Sequence, residues 1–250
     1  MQNSPIDKKY ARALPLFTLS EDNVLTLEQP YQGQAFLKSG KTTGVIIQLK
    51  RRNAVDKQAI LLKRFFDLFF ASSVMILGFP IFMVLYFITK FSSKGPAFYK
   101  QERIGKNGKP FYIYKFRSMV VDAEAAGPRL SSAGDPRITS WGRIIRRTRL
   151  DEMPQFWNVF KGDMSVVGPR PERTHFIEKI KERNPDYSRL HSIKPGVTSR
   201  GQVFYGYAEN VEQMCIRMGY DLDYLENISL KSDLVIILRT IKVMFQAKGK

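Results

Sequence analysis

The chain has 250 residues, 44% of them hydrophobic, with a formal net charge of +17. That length and apolar content suffice for one cored domain and an appendage, and the charge restricts partners to anions: nucleic acid, phosphorylated small molecules or an acidic membrane surface. The single cysteine, Cys215, excludes an internal disulfide framework and fits a reducing compartment, while two distant histidines, His175 and His191, speak against a His-rich metal site or a serine–histidine triad.

The N-terminus, MQNSPIDKKYARALPLF, lacks the apolar core of a signal peptide. Residues 1–55 read as an appendage of unassigned role, broken at Gly33, Gly40 and Gly44, with Gly44–Leu49 as a candidate strand. From Asp56 the pattern turns helical and runs into Leu68–Thr89, which carries no charge. A straight helix of that length would extend about 33 Å, enough to cross a bilayer. Gly78-Phe79-Pro80 falls in its middle, where proline kinks a helix. Both flanks are basic, with Lys50, Arg51, Arg52, Lys57, Lys63 and Arg64 before and Lys90, Lys94, Lys100 and Arg103 after. Basic flanks prefer the cytoplasmic side, so residues 56–92 are expected to dip in, break at Pro80 and return. A tilted span and a buried core helix are the competing readings.

Residues 93–250 form the remaining segment. Phe98–Ile104 and Phe111–Met119 are aromatic-rich runs joined through Asn107-Gly108, a hairpin signal. The second run exposes Lys115 and Arg117, which suit an anionic pocket, single-stranded nucleic acid or a blunted sheet edge. Residues 122–140 read as a loop. Helices are expected over Glu172–Arg183, around Met214, Cys215 and Met218 (core filler), and over Ser229–Gln246, the last either core-packed or lying in a membrane interface. No alternation of strands and helices follows residue 120, so a large parallel sheet is not expected.

The centre of the chain is Arg143–Pro171. Arg143, Arg146, Arg147 and Arg149 precede Asp151 and Glu152; Pro154 then opens a short apolar-periodic run that Gly162 closes. Proline at a helix start and glycine past its end place the two carboxylates at or just before a helix N-terminus, where backbone N–H groups and the helix dipole suit a phosphate as well as a carboxylate. Arginine forks match phosphate oxygens. An N-cap aspartate on a solvated basic helix reads equally well from this stretch alone. Gly168-Pro169-Arg170-Pro171 favours a site, because the prolines hold Arg170 in a fixed backbone.

Taken in order, YKFRSM, DPRITSWGRIIRRTRLDEMPQFWNVFKGDMSVVGPRP, KPGVTSRGQV and YDLDYLENISLKSDLVIILRTI, behind a basic-flanked apolar helix, closely resemble the bacterial sugar transferases, the monotopic polyprenyl-phosphate phosphoglycosyl transferases. The likeness covers roughly Lys63–Phe245. It implies a mostly helical fold with a small β-hairpin, a re-entrant membrane hairpin and interfacial amphipathic helices, at the bacterial inner membrane with the catalytic domain on the cytoplasmic face. It implies transfer of a sugar 1-phosphate from a nucleoside-diphosphate sugar, by family default a uridine one, to undecaprenyl or another polyprenyl phosphate, initiating a lipid-linked glycan. By the same likeness Asp151 is the covalent nucleophile and a ligand of Mg²⁺, and Glu152 assists. Arg170, between Pro169 and Pro171, is the first phosphate ligand; Lys115 and Arg117 come next, then Arg146, Arg147 and Arg149. The arginines and the helix N-terminus are expected to keep the Asp151 pKa low. Implied partners are the nucleotide sugar, polyprenyl phosphate and membrane lipids, without nucleic acid; a homo-oligomer is admissible. The family's membrane helix commonly breaks at Ser-Pro, whereas this chain has Phe79-Pro80. The alternative is a basic membrane-associated nucleic-acid-binding or scaffold protein without catalysis.

Overall fold

A computed structural model describes residues 57–125, 127–132 and 134–246, together with Phe17–Leu19 and Leu25–Leu27. The chain divides into two units, Met1–Ala54 and Val55–Lys250. In the first, β1 (Phe17–Leu19) and β2 (Leu25–Leu27) pair antiparallel, with Thr18 opposite Thr26. The strand expected at Gly44–Leu49 lies outside the described residues.

The second unit begins with two helices, α1 (Lys57–Leu77) and α2 (Phe79–Ser92), which meet at a 64° bend. Among the described residues no single helix is long and apolar enough to cross a membrane; this bent pair together is. Gly78 caps α2 and Pro80 sits in its first turn, where its missing N–H costs nothing. The bend forms without a serine hydroxyl: the Gly78 amide donates to Val74 O at 2.9 Å and the Phe82 amide to Gly78 O at 2.8 Å. A Cβ on Gly78 would lie 2.4 Å from Val74 O, so a larger residue could not make this turn unshifted.

Three charged residues fix α1 to elements far along the chain. Asp67 Oδ1 accepts from Ser165 Oγ at 3.0 Å and from the Val166 amide at 2.9 Å. Lys63 donates to Asp233 Oδ2 at 2.5 Å, and Arg64 donates to Val159 O at 2.7 Å and Phe160 O at 3.1 Å. The other side of the pair is apolar and exposed, including Phe65, Phe69, Ile76, Leu77, Val84 and Phe91.

The hairpin is present. β3 (Phe98–Ile104) pairs antiparallel with β4 (Pro110–Phe116), Tyr99 facing Lys115, and Asn107 takes the left-handed conformation at its turn. Phe98 stacks on Phe82 of α2 and on Phe116, and Phe116 forms a core with Leu85 and Ile145 against which Phe82 packs. Irregular chain then leads to α3 (Ser140–Arg147), capped by the Thr139 hydroxyl. A single 3₁₀ turn, Leu150–Glu152, precedes α4 (Gln155–Lys161), which Gly162 ends at φ 96°.

Two three-residue strands, β5 (Ser165–Val167) and β6 (Gly196–Thr198), pair in parallel; the sequence pattern signals neither. They lie in the main core with Val159, Met164, Tyr224 and Ile236. Between them come α5 (Thr174–Arg183) and a 3₁₀ run, Pro185–Ser192. Then follow α6 (Arg200–Phe204), α7 (Val211–Glu226) and α8 (Leu230–Phe245). Met214 and Met218 fill a second core against Phe176, Ile180 and Leu190. Helix α8 resolves its two readings into two faces. Asp233, Ile236 and Ile237 are buried, while Leu234, Leu238, Ile241 and Phe245 are exposed.

Candidate active site

Asp151 and Glu152 occupy the 3₁₀ turn, not the first turn of α4. Pro154 holds the N-cap position of α4 and no side chain caps it, so Asp151 is not an N-cap. The turn is preceded by Arg149 in the left-handed conformation, φ 56° and ψ 17°. A non-glycine residue held there stores about 1–3 kcal/mol of strain, a feature that clusters at functional sites. The turn is held from three sides: the Glu152 amide donates to Arg149 O, Met153 follows against the bend, and α4 packs on α1 and β4.

Both carboxylates are buried, Asp151 with 6% and Glu152 with 8% of its surface exposed. They face a cavity of about 400 Å³ whose walls also carry Lys115, Arg146 and Arg170. Lys115 Nζ lies 2.7 Å from Glu152 Oε1, Arg170 Nη1 lies 3.5 Å from the same oxygen, and Arg149 Nη1 lies 3.8 Å from Oε2. Burial alone would raise the Glu152 pKa, but Lys115, Arg170 and Arg149 together outweigh it and hold the group well below the usual carboxylate range. Asp151 goes the other way. Burial pushes its pKa up to about 6 and the neighbouring Glu152 charge adds to this, against the pull of Lys115, Arg146 and Arg149. The expectation of a low Asp151 pKa is therefore corrected. The cations that would lower it are spent chiefly on Glu152, and the carboxyl is out of water.

Arg170 is held through its backbone. Its amide donates to Asp221 Oδ2 at 3.3 Å, and Asp221 Oδ1 accepts from the Gly201 amide at 2.8 Å. Its neighbours are locked too: Gly196 N donates to Pro169 O at 3.0 Å and Arg103 Nη1 to Pro171 O at 3.0 Å. A Cβ on Gly168 would lie 2.5 Å from Lys194 O, and one on Gly196 would lie 2.1 Å from Gly168 N. The two glycines thus let the GPRP segment, which directly follows β5, pack closely against the KPGVTS segment that carries β6.

Not every basic residue expected at the site reaches the carboxylates, although Arg117 lines the same cavity. The Arg117 guanidinium turns from the carboxylates to the end of α2, donating to the carbonyls of Thr89 (3.1 Å), Ser93 (2.6 Å) and Pro96. It satisfies a helix C-terminus, where orphan carbonyls and the negative end of the dipole favour a cation. Arg147 is exposed on α3 and is not among the cavity residues. Arg149 approaches Glu152 and stacks on the Tyr207 ring at 5.0 Å.

Sequence reasoning missed the far wall. Glu172 binds the buried Arg217 at 2.5 Å and the partly buried Arg103 at 3.3 Å, and Arg173 pairs with Glu124 at 2.7 Å. Arg217 and Glu172 line the same cavity, as does Tyr207. The available signal for Arg217 was a lone arginine beside Met218 on the core face of α7.

A family model for bacterial sugar transferases matches residues 58–247. The chain belongs to that family. Bacterial sugar transferases similar to it include the UDP-N-acetylgalactosamine-undecaprenyl-phosphate N-acetylgalactosaminephosphotransferase of Aeromonas hydrophila, 38% identical over 75% of this chain and 44% of the relative. The UDP-glucose:undecaprenyl-phosphate glucose-1-phosphate transferase of Escherichia coli (strain K12) is 37% identical over 72% of this chain and 39% of the relative. The exopolysaccharide production protein PSS of Rhizobium leguminosarum bv. phaseoli is 38% identical over 73% of this chain and 94% of the relative. The match thus spans less than half of the Aeromonas and Escherichia proteins and nearly all of the Rhizobium one. All of the cavity described above lies within the family match.

Proposed function

We propose that this bacterial sugar transferase moves a sugar 1-phosphate from a nucleoside-diphosphate sugar, a UDP-sugar, to a polyprenyl phosphate such as undecaprenyl phosphate, through a phosphosugar ester of Asp151. The observation that carries the reading is the buried Asp151–Glu152 pair in a cation-walled cavity, one residue from the contact with the helix bend. The names of the relatives support the two substrates.

In the first half-reaction an Asp151 carboxylate oxygen attacks the phosphorus that bears the sugar. The bond from that phosphorus to the bridging oxygen breaks, and nucleoside monophosphate leaves with the electron pair. In the second, a phosphate oxygen of the acceptor attacks the same phosphorus and Asp151 departs as carboxylate. One hard transfer becomes two easier ones. Burial holds the Asp151 carboxyl above the usual carboxylate range, which favours the basicity of a nucleophile. Glu152, tied to Lys115 and Arg170, stays ionised and positions those cations, and Arg170 and Arg146 are placed to neutralise charge on the transferring phosphoryl group.

The donor set fits Mg²⁺, which is held by one or two carboxylates together with substrate phosphates. Asp151 would hold it, and the ion would neutralise diphosphate charge as a Lewis acid.

The bent apolar pair and the exposed face of α8 are assigned to the membrane. The α1–α2 pair enters and returns as a re-entrant hairpin, and α8 lies in the interface, so that soluble and lipid substrates meet at the cytoplasmic face of the inner membrane. The test is mass spectrometry of enzyme incubated with UDP-sugar alone. An adduct of phosphosugar mass is expected on the peptide containing Asp151 and is expected to vanish in Asp151→Asn. An adduct that persists in that variant, or kinetics of direct transfer in a ternary complex, would overturn the reading.

A further inference from the structure

A second cavity, of about 340 Å³, opens at the helix bend. Val74, Met75, Gly78 and Phe79 supply its membrane side, and Met153 and Trp157 its other side. No charged side chain lines it. Two residues tie it to the catalytic cavity. Phe98 lines both. Met153 follows Glu152 directly and reaches the bend, its Cε 3.3 Å from where a Cβ on Gly78 would stand.

We propose that this cavity holds the isoprene units of the acceptor nearest its phosphate, with Phe98 at the junction of phosphate and hydrocarbon. The inference rests on the acceptor assigned above being a polyprenyl phosphate. Such a molecule must present its phosphate to Asp151 while keeping its tail from water. The walls divide in the same way, Lys115 and Arg170 on one side of Phe98 and uncharged side chains on the other. Phe98 is shared by the two walls, which suits a chain esterified directly to its phosphate. At this volume the cavity takes only the proximal units. The rest of the tail passes along the exposed apolar residues of the bent helices into the bilayer.

The experiment uses the full chain in lipid nanodiscs and a polyprenyl phosphate carrying a diazirine on its first or second isoprene unit. Irradiation is expected to label peptides containing Val74–Phe79 and Met153–Trp157. Excess unlabelled polyprenyl phosphate should suppress the label and added phospholipid should not. Label confined to α8, or label displaced equally by phospholipid, would overturn the proposal. In parallel, Val74→Trp fills the cavity and should raise the acceptor KM at least about tenfold, as loss of several buried methylenes requires. Adduct formed from donor alone counts the folded, active enzyme in each preparation, so a misfolded variant is not mistaken for weak acceptor binding. An unchanged acceptor KM would sink the proposal. If the unaltered enzyme forms no adduct from donor alone, the Asp151 intermediate fails, whereas the labelling pattern still decides the cavity.

Discussion

Lys115 Nζ rests 2.7 Å from Glu152 Oε1, the shortest of three cation approaches to that carboxylate. The pair joins the hairpin to the catalytic turn: Lys115 belongs to β4 and Glu152 to the 3₁₀ turn before α4. Both are largely buried, so each is the main compensation for the other's loss of water.

Lys115→Met should therefore act on fold and chemistry together. Breaking a buried pair from one side costs about 3–5 kcal/mol, offset here by Arg170 and Arg149, which still face Glu152. Loss of a placed cation should slow nucleoside monophosphate release about a hundredfold. Thermal unfolding in detergent and a donor-alone time course measure the two effects. A variant with unchanged release would remove Lys115 from the site.

The Lys63–Asp233 pair makes a purely structural prediction. Asp233 is fully buried, accepting from Lys63 at 2.5 Å and from the Tyr224 hydroxyl at 2.6 Å. Lys63→Met leaves that carboxylate without its cation and should destabilise the protein by about 3 kcal/mol. The double variant Lys63→Met with Asp233→Leu should recover much of the loss, because an apolar pair can replace a buried ion pair. Melting temperatures of the three variants check it; a double variant no better than the single would show that the charge is not the cause.

Arg137 grips Asp135 through Nε and Nη2, at 2.9 and 2.6 Å. These hydrogen bonds, working against burial and helped by the Arg137 amide, lower the Asp135 pKa to about 2. A carboxyl whose folded pKa is depressed stabilises the fold above its unfolded pKa, about 3.9, and loses that contribution as pH falls towards the folded value. Asp135→Asn should thus be less stable than the parent by a constant margin at neutral pH. The margin should shrink between about pH 4 and pH 2. Melting curves over that range read the margin directly, and one that does not shrink would exclude the linkage.

Gly78→Ala tests the bend. Its Cβ would fall 2.4 Å from Val74 O and 3.3 Å from Met153 Cε. The backbone contact cannot yield without shifting the helices, and overpacking of this kind costs about 1–3 kcal/mol. The same shift pushes on Met153 and so on the turn carrying Glu152. The variant should melt earlier and transfer sugar phosphate more slowly even though residue 78 touches no substrate phosphate. An activity equal to the parent, per folded molecule, would uncouple the bend from the turn.

Much of the fold is legible in local pattern. Asn107-Gly108 between aromatic runs marks the hairpin, Gly162 ends α4, and the apolar period of Ser229–Gln246 marks α8. The pairing of Asp151 and Glu152 with Arg170 and Lys115 follows from motif identity, and the structure brings those four together. What is not legible is partnership at long range. Arg117 stands two residues from Lys115 and looks equivalent, yet β4 ends at Phe116 and the carbonyls at the end of α2 take its guanidinium elsewhere. β5 and β6 are too short for a period, and glycine–glycine approach defines them. The Asp151 pKa depends on burial and on how Lys115, Arg146, Arg149 and Arg170 divide between two acids, which no spacing encodes.

The ties between α1 and the rest of the unit also set an order of events at the ribosome. Lys63 meets Asp233 across 170 positions, and Asp67 meets Ser165 across 98. At about 5–20 residues per second, α1 exists on the order of ten to thirty seconds before Asp233 has been made. During that wait the nascent helix carries Lys63, Arg64 and Asp67 without their final partners beside a long apolar surface. An insertion factor or chaperone that shelters those three charges would govern the yield of folded enzyme, and pauses in translation between residues 165 and 233 would lengthen the exposure.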